Sequence, residues 1–559
     1  MAAFAVLIGP FALDFHMHYP DEMYYTDAAV KMLQNGDYLT TYLGSDELRF
    51  KKPIGTYWAV LLGFKLFGVN AFGARIFFLL AGASTIGLTY WLSKTLFEDK
   101  KIASLAALVM ASNPVLIFSA TRSIPDVLLV MTMTASAIGF AGLLQFGNQA
   151  PSRFLWILYL SLGLAFEIKG LPAIALGGLG FIYLLANPWK RVTLNKLVHL
   201  PSIFLSLGIG LFWFVAMYFL HGPTYLDSFL EDQVGIRVAS KFWLVIQNGL
   251  LALTLLFVIF LPWMIFGLPK INQNIRKIWK ENSSFFGFAI VWGLGILAMG
   301  AMTSKFYERY LLPVAPVLAV WISWLLIRSN FESKLKTQKI VLLIFLFLNL
   351  LIFMISTWLN FQMKANPLIW LQLFIGASLM VYLIESFLKN KNLVKTIALS
   401  IPLLFFLAST ATYQISLPEQ GKQVALFFST QKIESSQKIG FVGNLHVSSK
   451  IRIALGPNYQ MIDLPSDSWK NKIQFYSNLI VEDKLLSQLD TTQFKIRMVS
   501  ANWDSKSIPK LIRNAGDPDF DSLLKINSKK YFLVSKKEPN NQLLILSPQN
   551  QKLLYTTPF

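Results

Sequence analysis

Two charged pairs stand out in an otherwise apolar chain. Asp21-Glu22 follows the first apolar stretch, and Lys51-Lys52-Pro53 comes about thirty residues later. A charge inside hydrocarbon costs several kcal/mol, so charges beside helix ends mark a polar site held at a membrane face. Transfer from a phosphate-linked donor needs such a set. Cations bind the leaving phosphate and neutralise the charge that builds in the transition state. A carboxylate takes the proton from the acceptor hydroxyl within hydrogen-bond reach. One acid pair and one basic pair beside a bilayer therefore suggest chemistry on a lipid-linked anion.

Further charges fall in the same class of loop. Arg75, Arg122, Asp126, Glu167 and Lys169 come first, and Glu231, Asp232, Arg237, Lys305, Glu308 and Arg309 follow. If the helices bundle, several can converge on one cavity. Each also has a plainer use. Asp21 fits the N-cap of a helix running to Leu33, with Glu22 near its positive end. Lys51 and Lys52 can snorkel to headgroups. Asp126 follows a proline at a helix start. Arg122 and Lys169 can pair with Asp126 and Glu167, and Glu308 with Arg309. Asp21 and Asp126 could hold a divalent ion if they meet, but nothing in the sequence requires a metal or other cofactor. With no cysteine, thiolate sites and thiol nucleophiles are excluded. The five histidines are scattered; only His16 and His18 are close, a weak metal signal.

The elements that position these residues are membrane helices. Of 559 residues, 54% are hydrophobic and only 14% charged, with mean hydropathy +0.51, which marks a polytopic membrane protein. Apolar runs lie near 70–94, 102–118, 124–145, 154–169, 171–187, 198–220, 245–268, 284–302, 310–327, 340–358, 367–387 and 395–413. Residues 1–14 form a shorter run, expected to be completed by a turn upstream of Met1; no cleavable signal peptide is apparent. About thirteen spans result.

The net charge of +20 sits in short loops, such as Lys94/Lys100/Lys101 and Lys190/Arg191/Lys196. That is a topology signal and argues against nucleic acid. It makes those loops cytoplasmic and turns the long first loop, 15–69, outward. That loop should hold two short helices, Asp21–Leu33 and Ile54–Phe67. Residues 1–413 are expected to form the membrane domain. Residues 414–559 are polar, with β-type runs at 438–442, 494–499, 530–534 and 543–546, and read as a periplasmic α/β domain.

A set of motifs then occurs in order: Pro20-Asp21-Glu22, Lys52-Pro53-Ile54-Gly55-Thr56-Tyr57-Trp58, Arg75, Arg122-Ser123-Ile124-Pro125-Asp126, Lys169-Gly170, Pro262-Trp263 and Tyr310-Leu311-Leu312-Pro313. The chain resembles the polyprenyl-phosphate-sugar glycosyltransferases of GT-C fold. That superfamily holds the protein O-mannosyltransferases and the lipid A aminoarabinose transferases. The resemblance implies an inner-membrane enzyme that moves a sugar from a polyprenyl-phosphate donor to a lipid A-like or protein acceptor. It implies Asp21 as the essential first-loop acid, Asp126 as the second acid and Lys52 as the donor-phosphate lysine. Arg122 and Lys169 match cavity-facing basic positions, and Glu22, Lys305 and Arg309 join them as substrate-binding candidates. Two departures stand out. Tyr24 replaces an arginine typical of the aminoarabinose enzymes, and Ile54 replaces the second proline of Lys-Pro-Pro. The alternative is a transporter or flippase of a lipid-linked sugar, which would show repeated halves and midplane charges. Neither pattern is visible here.

Overall fold

The computed structural model describes residues 1–13, 19–232, 242–267, 271–329, 334–362, 365–416, 419–489, 492–503 and 528–536, with single positions between 513 and 522. His16, His18, Arg237 and the expected strand at 543–546 lie outside the described residues.

The chain opens with α1 (Ala2–Ala12). The long first loop follows, with α2 (Glu22–Asn35) and α3 (Gly55–Phe67) close to their expected bounds. Gly36, at φ +71°, ends α2 in the left-handed turn that glycine adopts without steric cost. Next come α4 (Ala71–Phe97), α5 (Lys100–Ala111), α6 (Pro114–Ala120), α7 (Pro125–Phe146), α8 (Ser152–Lys169), α9 (Leu171–Ala186) and α10 (Leu194–Leu197). The membrane part continues through α11 (Leu200–His221), α12 (Thr224–Leu230), α13 (Phe242–Val258), α14 (Trp263–Gly267) and α15 (Ile271–Ala301). A 3-10 turn (Glu308–Val314) leads into α16 (Ala315–Arg328), and α17 (Leu335–Gln362), α18 (Pro367–Lys389) and α19 (Leu393–Ser416) complete it.

Each of the thirteen expected apolar runs coincides with helix. Among the described residues, eight helices are long and apolar enough to cross a membrane, or nine if the pair α5 and α6, bent by 62°, counts as one span. The others, such as α9 and α13, are shorter. Burial separates inner from outer helices. The apolar window of α7 is 89% buried, whereas that of α11, no less hydropathic, is only 17% buried. Helix α7 is thus the protein-lined centre, packed on α4 and α8, and α11 turns its apolar side chains toward lipid. Helices α3 and α4 approach so closely that a Cβ on Gly63 would lie 1.9 Å from the Gly73 carbonyl oxygen, a contact only glycine permits.

After α19 the chain forms α20 (Gln420–Thr430), β1 (Ile439–Val442), α21 (Leu445–Leu455), β2 (Met461–Asp463), β3 (Asn478–Glu482), α22 (Asp483–Leu486), β4 (Phe494–Trp503) and β5 (Ser528–Lys536). The sheet order is β2-β1-β3-β5-β4, with β1 parallel to β2 and β3 and β5 antiparallel to β3 and β4. Phe441, Ile480, Leu533, Val424, Phe428 and Ile451 share its core with α20 and α21.

This sheet unit is joined to the first loop. Helix α21 packs on α2, and Thr26 Oγ1 lies 3.1 Å from Ser449 Oγ. Gln34 Nε2 donates to the carbonyls of Pro457 (3.1 Å) and Tyr459 (2.9 Å). Arg452, 1% exposed, sits between Asp27 (2.6 Å) and Asp463 (2.9 Å). A Cβ on Gly44 would lie 2.1 Å from an Asp463 oxygen, so the loop backbone presses directly on this triad. Burial pushes the Asp27 carboxyl up to about 6; Arg452 opposes the rise and Asp463 adds to it. Two buried carboxylates sharing one guanidinium leave a surplus negative charge, which a proton on Asp27 removes.

Candidate functional site

Helix α2 starts in the first loop and presents Asp21 and Glu22 at its N-terminus. The two neighbours have opposite environments. Asp21 occupies the N-cap position with helical backbone angles (φ −70°, ψ −18°), and its side chain makes no capping hydrogen bond. That corrects the expected capping role. Its side chain is 43% exposed, and Oδ2 accepts from Arg309 Nη2 at 2.8 Å.

Glu22 is 0% exposed. Its oxygens accept from Arg75 Nε (2.7 Å) and Nη2 (2.5 Å), Ser123 N (2.7 Å) and Oγ (3.1 Å), and Tyr19 N (2.8 Å). Arg75 is itself 1% exposed, on α4. Glu22 was expected to bind substrate. In the structure it is fully buried, and its contacts with Arg75 and Ser123 tie the start of α2 to α4 and to the segment before α7.

The second acid, Asp126, lies in the first turn of α7 and is 4% exposed. Lys169, the last residue of α8, donates to its Oδ1 at 2.6 Å. Arg309 Nε lies 3.3 Å from its Oδ2. Arg309 therefore bridges the exposed Asp21 and the buried Asp126. Three tyrosines enclose the group. Tyr19 Oη accepts from Arg309 Nη1 at 2.5 Å, the Arg309 guanidinium lies 4.1 Å from the Tyr307 ring centre, and Lys169 Nζ lies 4.8 Å from that of Tyr310. Arg122 stacks on the other face of this cluster, 4.2 Å from the Tyr19 ring centre. Burial holds Arg122 below its ordinary value, against the pull of Glu22, Tyr19 and Glu308.

Lys52 takes a different partner. It is 5% exposed, and Nζ lies 3.2 Å from Asp232 Oδ2, two residues past the end of α12. Lys305 is exposed and makes no ion pair among the described residues. The structure thus gathers Asp21, Arg122, Asp126, Lys169 and Arg309, sets Lys52 beside Asp232, and leaves Lys305 exposed and without an ion pair among the described residues. Between the two groups runs a tyrosine wall. Tyr25 and Tyr57 are buried with ring centres 4.9 Å apart. Burial, then Tyr57, pushes the Tyr25 phenol well above its ordinary value; Arg49 opposes this, and Asp126 and Asp21 add to it.

Sequence reasoning gave no role to Tyr19, Tyr307 or Arg49, and named Asp232 only among the loop charges that could converge. Their only signal was the crowding of tyrosines beside charged loop residues. Arg49 covers the departure at Tyr24: its guanidinium lies 3.8 Å from that ring centre. His446, at the start of α21, is a further neighbour. Burial and Lys450 lower its pKa while Asp21 raises it, so the sheet unit brings an imidazole within electrostatic range of the exposed acid.

Known proteins share this architecture. The crystal structure of ArnT from Cupriavidus metallidurans bound to undecaprenyl phosphate aligns over 97% of this chain and 98% of its own, with TM-score 0.70 and 18% identity. The apo state of that protein aligns with TM-score 0.69, over 95% of this chain and 96% of its own, at 18% identity. The chain has the GT-C fold of the lipid A aminoarabinose transferase-like superfamily. Residues 51–219 match the dolichyl-phosphate-mannose-protein mannosyltransferase family. An uncharacterised protein of Aquifex aeolicus is 28% identical over 63% of this chain and 67% of its own length. An undecaprenyl phosphate-alpha-4-amino-4-deoxy-L-arabinose arabinosyl transferase of Pseudomonas fluorescens is 28% identical over 54% of this chain and 51% of its own. The matched stretch thus spans about half the length of such transferases. The resemblance read from the motifs is borne out at the level of superfamily and fold.

Proposed function

We propose that this protein is an inner-membrane glycosyltransferase of GT-C type. It moves a sugar from a polyprenyl-phosphate donor to a lipid A-like glycolipid at the periplasmic face. Residues 1–413 form the membrane domain, with all thirteen apolar helices crossing, and residues 414–559 form the periplasmic domain. The named arabinosyl transferases among its relatives support the donor class.

The observation that carries this reading is the Asp21 carboxylate. It is solvent-accessible, makes no capping hydrogen bond, and is oriented by Arg309 at 2.8 Å. In a single displacement, an acceptor oxygen bonds to the anomeric carbon as the bond to the phosphate oxygen breaks. Asp21 takes the acceptor proton, and the phosphate leaves as an anion against cations. Lys52 is assigned the leaving phosphate, with Arg122 and Lys169 lending positive charge. Asp126 positions Lys169 and Arg309. The deciding experiment incubates the purified protein in nanodiscs with a polyprenyl-phosphate sugar and a lipid A acceptor. Acceptor-dependent release of polyprenyl phosphate is expected. Movement of intact donor across sealed vesicles without cleavage would overturn the reading in favour of a transporter.

A further inference from the structure

Arg49 is a cation that the transfer step leaves without a task. It sits three residues before Lys52, on the return arm of a small hairpin in the outer loop. Tyr42 bridges Leu48, Arg49 N donates to Thr41 O at 2.9 Å, and the Thr41 hydroxyl donates back to the Arg49 carbonyl. The backbone is therefore pinned where the side chain leaves it. Among the described residues, its hydrogen-bond and ring partners are tyrosines. Nε donates to Tyr57 Oη at 3.1 Å, and the guanidinium lies over the Tyr24 ring. Among the described residues no carboxylate pairs with it and no hydrogen bond uses its two terminal nitrogens.

Its neighbours behave differently. Arg75 has Glu22, Lys31 has Asp46, Lys52 has Asp232, Lys169 has Asp126, and Arg309 has Asp21 and Asp126. A partly buried guanidinium loses hydration, and aromatic faces return only part of that. An anionic ligand supplies the rest, and the planar fork of arginine matches two phosphate oxygens at once. Location adds to this. Tyr25 lies within electrostatic range of Arg49, Asp21 and Asp126, and Tyr57 within range of Arg49 and Asp232. The tyrosine-lined arginine thus stands between the exposed acid and the Lys52–Asp232 pair.

We propose that Arg49, oriented by Tyr57 and Tyr24, is a phosphate-binding subsite of the transfer site. This rests on the transferase reading. The phosphate is either that of the polyprenyl donor or one carried by the acceptor glycolipid, and the two sources are separable. The test compares full-length wild type with Arg49→Gln, Arg49→Lys and Tyr57→Phe in nanodiscs. Binding of polyprenyl phosphate is titrated directly, and KM and kcat are measured with phosphorylated and dephosphorylated lipid A.

Arg49→Gln is expected to weaken polyprenyl phosphate binding about 10–100-fold if the donor phosphate is held. If the acceptor phosphate is held, KM for phosphorylated lipid A rises by that factor while the dephosphorylated lipid is unaffected. In either case the thermal midpoint without ligand stays near wild type, and Arg49→Lys recovers only part of the affinity. Tyr57→Phe, which keeps the ring and loses the orienting hydroxyl, gives a smaller loss of the same kind. Unchanged binding and unchanged KM in Arg49→Gln overturn the proposal. If Arg49→Gln fails to fold, Arg49→Lys and Tyr57→Phe decide it by the same two readouts. A wild type that releases no polyprenyl phosphate defeats the transferase reading, and the binding titration then still judges Arg49.

Discussion

Asp21 and Glu22 are adjacent in sequence, and their amide variants should fail in opposite ways. Asp21→Asn removes the proton acceptor and keeps the side-chain shape. No capping hydrogen bond is lost, because none exists. The ion pair lost is that of a side chain 43% exposed, so solvent screening keeps its contribution, together with the helix-dipole effect, to about 1 kcal/mol or less. The rate should fall by at least ~100-fold, the usual worth of a positioned base. Glu22→Gln does the reverse. It breaks a fully buried pair with Arg75 and turns an amide NH2 toward donors, which costs about 3–5 kcal/mol of stability. Thermal unfolding in detergent and acceptor-dependent release of polyprenyl phosphate, measured on the same preparations, separate the two effects. An Asp21→Asn protein that transfers sugar near the wild-type rate refutes the base assignment. So does an equally stable but inactive Glu22→Gln, which would move the chemistry to the second acid of the pair.

Three other outcomes are expected. Lys52→Ala should weaken donor binding by about 1–3 kcal/mol while Asp232→Asn leaves it equal or tighter, because the aspartate competes with phosphate for the same ammonium; equal losses in titration would mean the pair is purely structural. A reporter fused after Tyr413 should be active only on the periplasmic side, and a cytoplasmic signal would place the site on the wrong face. Asp27, held up at about 6, takes up a proton more readily folded than unfolded. Its contribution to stability is therefore present below pH 4 and lost as pH rises through 6, by roughly 3 kcal/mol in total. Asp27→Asn should flatten that part of the stability profile, and an unchanged profile would show that the triad carries no proton.

Much of the framework was legible because its signals are local. Apolar runs gave the helices, and the runs at Lys438, Phe494 and Lys530 gave β1, β4 and β5. Strands β2 and β3 were missed. Met461–Asp463 is only three residues long, and Asn478–Glu482 is buried on both faces, so it lacks the alternation that marks a half-exposed strand. The site was legible in its charges and opaque in their pairing. Nothing near Glu22 announces Arg75 or Ser123, since helix packing alone brings them together. For the same reason Asp21 read as a cap: its spacing suits one, and only the position of Arg309, 288 residues away, draws it elsewhere. Lys305, four residues before Arg309, is exposed and forms no ion pair among the described residues.

The joint at Arg452 has a consequence in time. Thr26 and Ser449, which meet across it, are 423 residues apart. At about 5–20 residues per second, roughly 20–90 s of synthesis separate the emergence of α2 from that of its partner helix. Until then Asp27 has no arginine, and Gln34 has no carbonyls to hold. The helix that follows Asp21 is thus made early and meets part of its packing late. A ribosome that stops short of α21 leaves α2 held by Arg75, Ser123 and Arg309 but without the helix that packs along its other contacts. Full seating of the helix behind Asp21 therefore waits for α21, which joins the order of synthesis to the order of assembly.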